Sequence, residues 1–152
     1  MLNPDFRDML SAFNAERVEY LVVGAYAMAN YGVPRATGDL DFWIRRSPEN
    51  AERVMRALVA FGAPMDRVTR DDLSQPDVVL QFGVEPNRID ILTSIDGVEF
   101  DEASASRTVT RLDDTDVPFI GLADLIRNKR AAARPRDIAD VVHLEAVARR
   151  RT

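Results

Sequence analysis

The 152-residue sequence has no cysteine, one histidine and one lysine. Without cysteine there are no disulfides and no thiolate metal sites, and His143 is the single imidazole. A bound metal would therefore need oxygen ligands, which suits hard ions such as Mg2+ or Mn2+. No apolar run approaches the ~20 residues that span a bilayer. The opening Met1-Leu2-Asn3-Pro4-Asp5 lacks the basic-then-apolar order of a secretory signal. Repeats and low-complexity tracts are also missing. These absences lead to the expectation of a soluble, cytoplasmic chain with no membrane partner.

With 46% of positions hydrophobic and 30% charged, the chain can bury an ordinary core but is short for two of them. The expectation is one domain over residues 1–152, with a core over about 17–120 and a helical C-terminal part over about 121–150. The net charge of −5 speaks against a general nucleic-acid-coating role, yet the charge is uneven. Residues 127–152 hold eight basic against three acidic side chains, a local +5 that leaves −10 for the rest. That segment reads either as a solvated basic helix face or as a phosphate-facing surface. Lys129 stands alone beside nineteen arginines, a hint that an ammonium is wanted there.

Asn3-Pro4 is a helix start, and Phe6, Met9, Leu10 and Phe13 follow at helical spacing. Tyr20-Leu21-Val22-Val23 reads as a buried strand ended by Gly24, and the helix formers 25–31 run to Gly32 and Pro34. Gly38 to Ile44 alternates, with Asp39, Asp41 and Trp43 on one face. Ser47-Pro48-Glu49 opens a helix carrying Val54, Leu58 and Phe61 inward. Residues 63–76 read as a loop with at most a helical turn near Leu73. Strands over 77–82 and 87–93, split by Gly83-Val84-Glu85-Pro86, suggest a hairpin. A short helix over 100–106, strands at 108–112 and 117–120, and helices from Gly121 and Pro135 complete the reading. The last helix is expected to turn Ile138, Val141, Val142, Leu144 and Val147 inward. The pattern implies an α/β chain of α+β type, a mixed sheet flanked by helices.

Several polar residues interrupt this apolar frame. Gly24 ends a strand, as many glycines do, but a glycine there also lets backbone amides and a following helix approach a phosphate. Asp39 and Asp41 lie one residue apart on one strand face, Cα atoms roughly 6.5–7 Å apart. Such a pair is often mere solvent decoration, but beside Phe42, Trp43 and Ile44 the strand reads as interior. Two interior carboxylates repel unless a cation or a proton intervenes. Asp90, within Arg88-Ile89-Asp90-Ile91-Leu92, is a third acid interrupting an apolar strand. Three such oxygen donors match a site where magnesium ions hold a nucleoside triphosphate and activate a hydroxyl. Asp113, Asp114 and Asp116 lack strand periodicity and read as a solvated turn. His143 reads as a packed or surface residue, and Tyr26 either packs or lines a base pocket.

The run Leu-Val-Val-Gly24-Ala25-Tyr-Ala, followed by Gly32-Val-Pro-Arg35-Ala-Thr37-Gly-Asp39-Leu-Asp41, resembles the nucleotidyltransferase fold of the DNA polymerase β superfamily. Lys129, Arg136-Asp137 and Asp140 resemble the helical motif of AbiEii-like nucleotidyltransferases, the toxin branch of type IV toxin–antitoxin systems, and of related small bacterial nucleotidyltransferase domains. The resemblance spans Tyr20 to Leu144. It implies a minimal nucleotidyltransferase fold with C-terminal helices, moving a nucleotidyl group from an NTP to a hydroxyl with Mg2+ or Mn2+. It implies that Gly24 and Ala25 cradle the triphosphate, that Asp39, Asp41 and Asp90 bind metal, and that Asp90 helps deprotonate the acceptor. Lys129 and Arg136 would face phosphates, Asp137 or Asp140 would orient Lys129 or join the catalytic centre, and Arg35 and Thr37 would steady the loop before the carboxylates. The acceptor implied is transfer RNA or another RNA, a protein or a small molecule, with an antitoxin or a second copy of the chain as partner. One departure stands out: the family usually has Gly or Ser where this chain has Ala25. That departure supports the alternative of a catalytically inactive binding or regulatory module.

Overall fold

A computed structural model describes residues 2–35, 39–84 and 87–152. Asn3 caps the first helix, α1 (Pro4–Ala15), its side chain accepting from the Asp5 amide at 2.8 Å, and Phe6, Met9, Leu10 and Phe13 face the core. The strand β1 (Tyr20–Val23) is buried throughout and passes at Gly24 into α2 (Gly24–Asn30). β2 (Asp39–Ile44) follows, then α3 (Pro48–Phe61), capped by Ser47 and closed by the left-handed Gly62. Asn50 at the start of α3 is fully buried and ties three backbone groups together. It accepts from Glu19 N at 2.8 Å and donates to Glu19 O at 3.0 Å and Arg45 O at 2.9 Å. This clasp aligns the entrance of β1 with the exit of β2.

The segment expected to be a loop with at most a helical turn near Leu73 contains a short 3-10 turn (Met65–Arg67) and, around Leu73, α4 (Arg70–Ser74). A reciprocal capping box between Thr69 and Asp72 and burial of Leu73 hold α4 in place. β3 (Val79–Phe82) and β4 (Arg88–Leu92) pair antiparallel, as the hairpin reading expected. After α5 (Phe100–Ala105), β5 (Thr108–Leu112) and β6 (Thr115–Phe119) form a second antiparallel pair. The turn between them is Asp113-Asp114, both at positive φ, whereas Asp116 lies in β6 and meets Arg111 at 3.0 Å. The acidic cluster is thus part turn and part strand. α6 (Leu122–Ala132) and α7 (Pro135–Arg150) end the chain and pack on each other.

The described strands form one mixed sheet in the order β3-β4-β2-β1-β6-β5. β2 is interior, antiparallel to β1 and parallel to β4. Phe13, Tyr20 and Phe42 pack ring against ring, with centroids 4.7–5.4 Å apart, joining α1 to the sheet. Among the described residues no helix is long and apolar enough to cross a membrane.

α7 departs from its expected facing. Asp137, Asp140, Val141, Leu144 and Val147 form its buried stripe, while Ile138 and Val142 are 58% and 62% exposed. A helix offers one inward face of limited width, and here two carboxylates take positions on it that periodicity alone would award to isoleucine and valine.

Candidate active site

Parallel pairing sets Asp39 beside Arg88 and Asp41 beside Asp90, with Leu40 and Ile89 between them on the opposite face. The result is a square of four charged side chains on one face of adjacent interior strands. Val23, the last residue of β1, pairs with Asp41, so the turn into α2 begins at the edge of this square. Gly24 has φ 71°, and a Cβ there would overlap Asp41 Oδ2. The glycine is required by conformation and by space together.

These side chains form one wall of a cleft of about 610 Å3, with Gly24 and Ala25 at the α2 end. Lys129 and Asn128 on α6 line it too, as do Arg134 and Arg136 around the start of α7, together with Arg35. An acidic wall on the sheet therefore shares the cleft with a cationic one. This is how a site would hold both a cation and the phosphates that the cation accompanies.

Burial pushes the Asp41 carboxyl up to about 7, and repulsion from Asp90, a hydrogen bond donated to Asp90 and the charge of Asp39 push the same way. Asp90 is also raised, by burial first, with Arg88 opposing. Two facing carboxyls in a poorly solvated place share protons readily and would release them to a cation. Arg88 partly supplies one: its Nη2 lies 2.5 Å from Asp39 Oδ2 and its Nε 3.3 Å from Asp90 Oδ1. Among the described residues no group of three acidic or imidazole side chains stands ready in metal-ligating geometry. The donor set nonetheless suits a hard divalent ion. It offers only carboxylate oxygens, two of the carboxyls already face each other, and Gly24 leaves room where any larger residue would displace Asp41.

Behind the cationic wall lies a buried ion network. Lys129 Nζ is 3.3 Å from Asp137 Oδ1 and 3.1 Å from Asp140 Oδ2, and both carboxylates are fully buried. Asp140 also pairs with Arg35, and Asp137 accepts from Arg134 Nε at 2.6 Å and from the Arg134 amide at 3.2 Å. Asp137 is therefore both a helix cap and a brace for Lys129. Burial pushes Asp137 up, but Arg134 and Lys129 outweigh it and hold the carboxyl below its ordinary value. Burial likewise lowers Lys129, Asp137 opposing and Arg35 adding to the effect. Arg35, at the start of the 35–38 stretch, is thereby tied to α7.

The structure thus gathers Gly24, Ala25, Arg35, Asp39, Asp41, Asp90, Lys129 and Arg136 around one cleft, with Asp137 and Asp140 behind it. Thr37 lies outside the described residues. His143 is exposed, and Tyr26 meets Phe6 edge to face at 5.6 Å. Arg88 and Arg134 also line the cleft, although neither stood among the candidate site residues. For Arg88 the signal was present, since an Arg-x-Asp run in a strand puts both side chains on one face.

No protein-family model matches the chain, and no curated protein sequence matches it. Among solved structures, a "putative nucleotidyltransferase" from Thermotoga maritima superposes with a TM-score of 0.62. The match is 15% identical and covers 99% of this chain and 96% of that one. At that identity the likeness is one of fold, and the fold is nucleotidyltransferase-like.

Proposed function

We propose that this chain transfers a nucleotidyl group from a nucleoside triphosphate to a hydroxyl acceptor, with Mg2+ or Mn2+ as cofactor. The observation that carries this reading is the in-register pairing of Asp41 with Asp90, two residues beyond Asp39, in a cleft shared with Lys129. Asp39, Asp41 and Asp90 would hold the divalent ion. When bound, such an ion neutralises triphosphate charge and makes the acceptor hydroxyl more acidic. The chain's own groups do the rest. Lys129 and Arg136 attract the phosphates, and the amides at Gly24 and Ala25 hold the triphosphate tail against the end of β1. Asp140 and Asp137 fix Lys129. The acceptor oxygen forms a bond to the α-phosphorus, the bond to the β-phosphate bridge breaks, and pyrophosphate leaves. The proton of the acceptor hydroxyl passes to Asp90.

The Lys129, Arg136-Asp137, Asp140 motif favours the AbiEii-like branch, and with it an RNA acceptor, transfer RNA foremost, and a toxin role with an antitoxin or homodimer partner. The exposed arginines 149 and 150 at the end of α7 support a polyanionic acceptor. The test supplies each α-labelled triphosphate and a cellular RNA pool to the protein and to Asp41→Asn. Label should enter RNA with the wild type and fall by about 100-fold or more with the variant. Undiminished transfer by Asp41→Asn would sink the assignment. A second reading, a non-catalytic nucleotide-binding module, is favoured by Arg88 already sitting on two of the carboxylates. It predicts a triphosphate-dependent rise in melting temperature with no label transfer.

A further inference from the structure

The chemistry above assigns Arg88 no part, yet it occupies the fourth corner of the carboxylate square. Pairing with β2 places it beside Asp39, and the strand period puts it on the face of Asp90. Its guanidinium spans both acids, reaching Asp39 through Nη2 at 2.5 Å and Asp90 through Nε at 3.3 Å. The side chains of Asp39 and Asp90 are only 17% and 11% exposed, so this pairing is screened less than one on open surface. Three carboxylates stand on one two-strand array, but among the described residues no three acids converge on a metal position. Strand register accounts for the first fact, and Arg88 lying on two of the three acids accounts for the second.

We propose that Arg88 is a resident counter-ion of the carboxylate site, lying on Asp39 and Asp90 while no divalent ion is bound and leaving them when one enters. This rests on the reading that these carboxylates hold a divalent ion. A guanidinium and a metal ion that use the same oxygens oppose each other, and the opposition is reciprocal: each weakens the hold of the other by the same factor. Arg88 thus stabilises the empty site at the cost of metal affinity. It is a positioning residue, acting through the carboxylates rather than on substrate.

The test titrates Mn2+ into the full chain, free Mn2+ being followed by electron paramagnetic resonance, with wild type, Arg88→Met, Arg88→Lys, Arg136→Met and Asp41→Asn. Arg88→Met should bind Mn2+ about tenfold more tightly than wild type. Arg88→Lys keeps the charge and loses the two-pronged reach, so it should fall between them. Arg136→Met removes a cleft cation that does not lie on these acids and should shift affinity by about twofold or less. In EDTA, Arg88→Met should melt below wild type, and Mn2+ should raise its melting temperature by more. Equal or weaker Mn2+ binding by Arg88→Met, with binding lost in Asp41→Asn, would overturn the counter-ion role and leave the metal reading intact. No Mn2+ bound by the wild type or by either Arg88 variant would overturn both. Should Arg88→Met fail to fold, Arg88→Lys against wild type carries the same comparison.

Discussion

Gly24 lies so close to Asp41 that a Cβ on the glycine would overlap Asp41 Oδ2 and come within 3.1 Å of its Cγ. Gly32 shares the left-handed backbone, at φ 82°, but a Cβ there would meet nothing within 4 Å. The two alanine substitutions should therefore part company. Gly32→Ala should lower stability by about 1 kcal/mol through backbone strain alone. Gly24→Ala should cost about 1–3 kcal/mol and also displace the carboxylate. Urea denaturation should rank them in that order, and a Mn2+ titration should show lost binding in Gly24→Ala only.

The Asp41–Asp90 pair makes the metal-free protein sensitive to pH. Asp41 titrates at about 7 in the fold against an ordinary 3.8. Because the folded value is the higher one, the contribution of Asp41 to stability is fully present below about pH 4 and is lost as pH rises through about 7. Urea unfolding in EDTA should show stability falling between about pH 4 and pH 7, by up to about 1.4 kcal/mol per pH unit. Asp41→Asn cannot ionise and should flatten that slope. Added Mg2+ favours the ionised acids and should oppose the fall.

Lys129 and Arg134 both pair with Asp137, but in different surroundings. The Lys129 side chain is 11% exposed and that of Arg134 is 62% exposed. Lys129→Met removes a buried cation from between two buried carboxylates and should cost about 3 kcal/mol. Arg134→Met breaks a pair whose cation is solvated and should cost about 1 kcal/mol or less. Urea midpoints of the two variants at neutral pH check the difference.

The facing of α7 is open to the same measurement. Ile138→Ser and Val142→Ser change exposed positions and should alter stability by no more than about 0.5 kcal/mol. Leu144→Ala empties a fully buried position and should cost about 2–5 kcal/mol. Large losses at Ile138 and Val142 would mean that a partner covers that face or that the helix is rotated.

Much of this architecture was legible in local pattern. Asn3-Pro4, Ser47-Pro48 and Gly62 mark helix ends through groups that act within a few residues, and the structure uses them so. The hairpin of β3 and β4 was legible for the same reason, as a short turn leaves few alternatives. Strand alternation put Asp39 with Asp41 on one side and Arg88 with Asp90 on another, but parity within a strand carries no information about its neighbour. Only pairing between strands remote in the chain set Asp41 beside Asp90 and Arg88 beside Asp39. α4 was legible only as a possible helical turn near Leu73, because a helix of five residues, Arg70–Ser74, is too short to show a period.

The sequence by itself determined which residues could do chemistry: three acids interrupting apolar strands, a glycine at a strand end, and one lysine among arginines. It did so because a charge inside an apolar run is costly and therefore visible. Tertiary structure alone decided what each charge meets. Burial of Asp137 and Asp140 on the inward stripe of α7 braces Lys129, and parallel pairing of β2 with β4 lays Arg88 across Asp39 and Asp90. Those partnerships depend on desolvation and distance between segments far apart in the chain, and neither quantity exists until the sheet has formed and α6 and α7 have closed on the cleft.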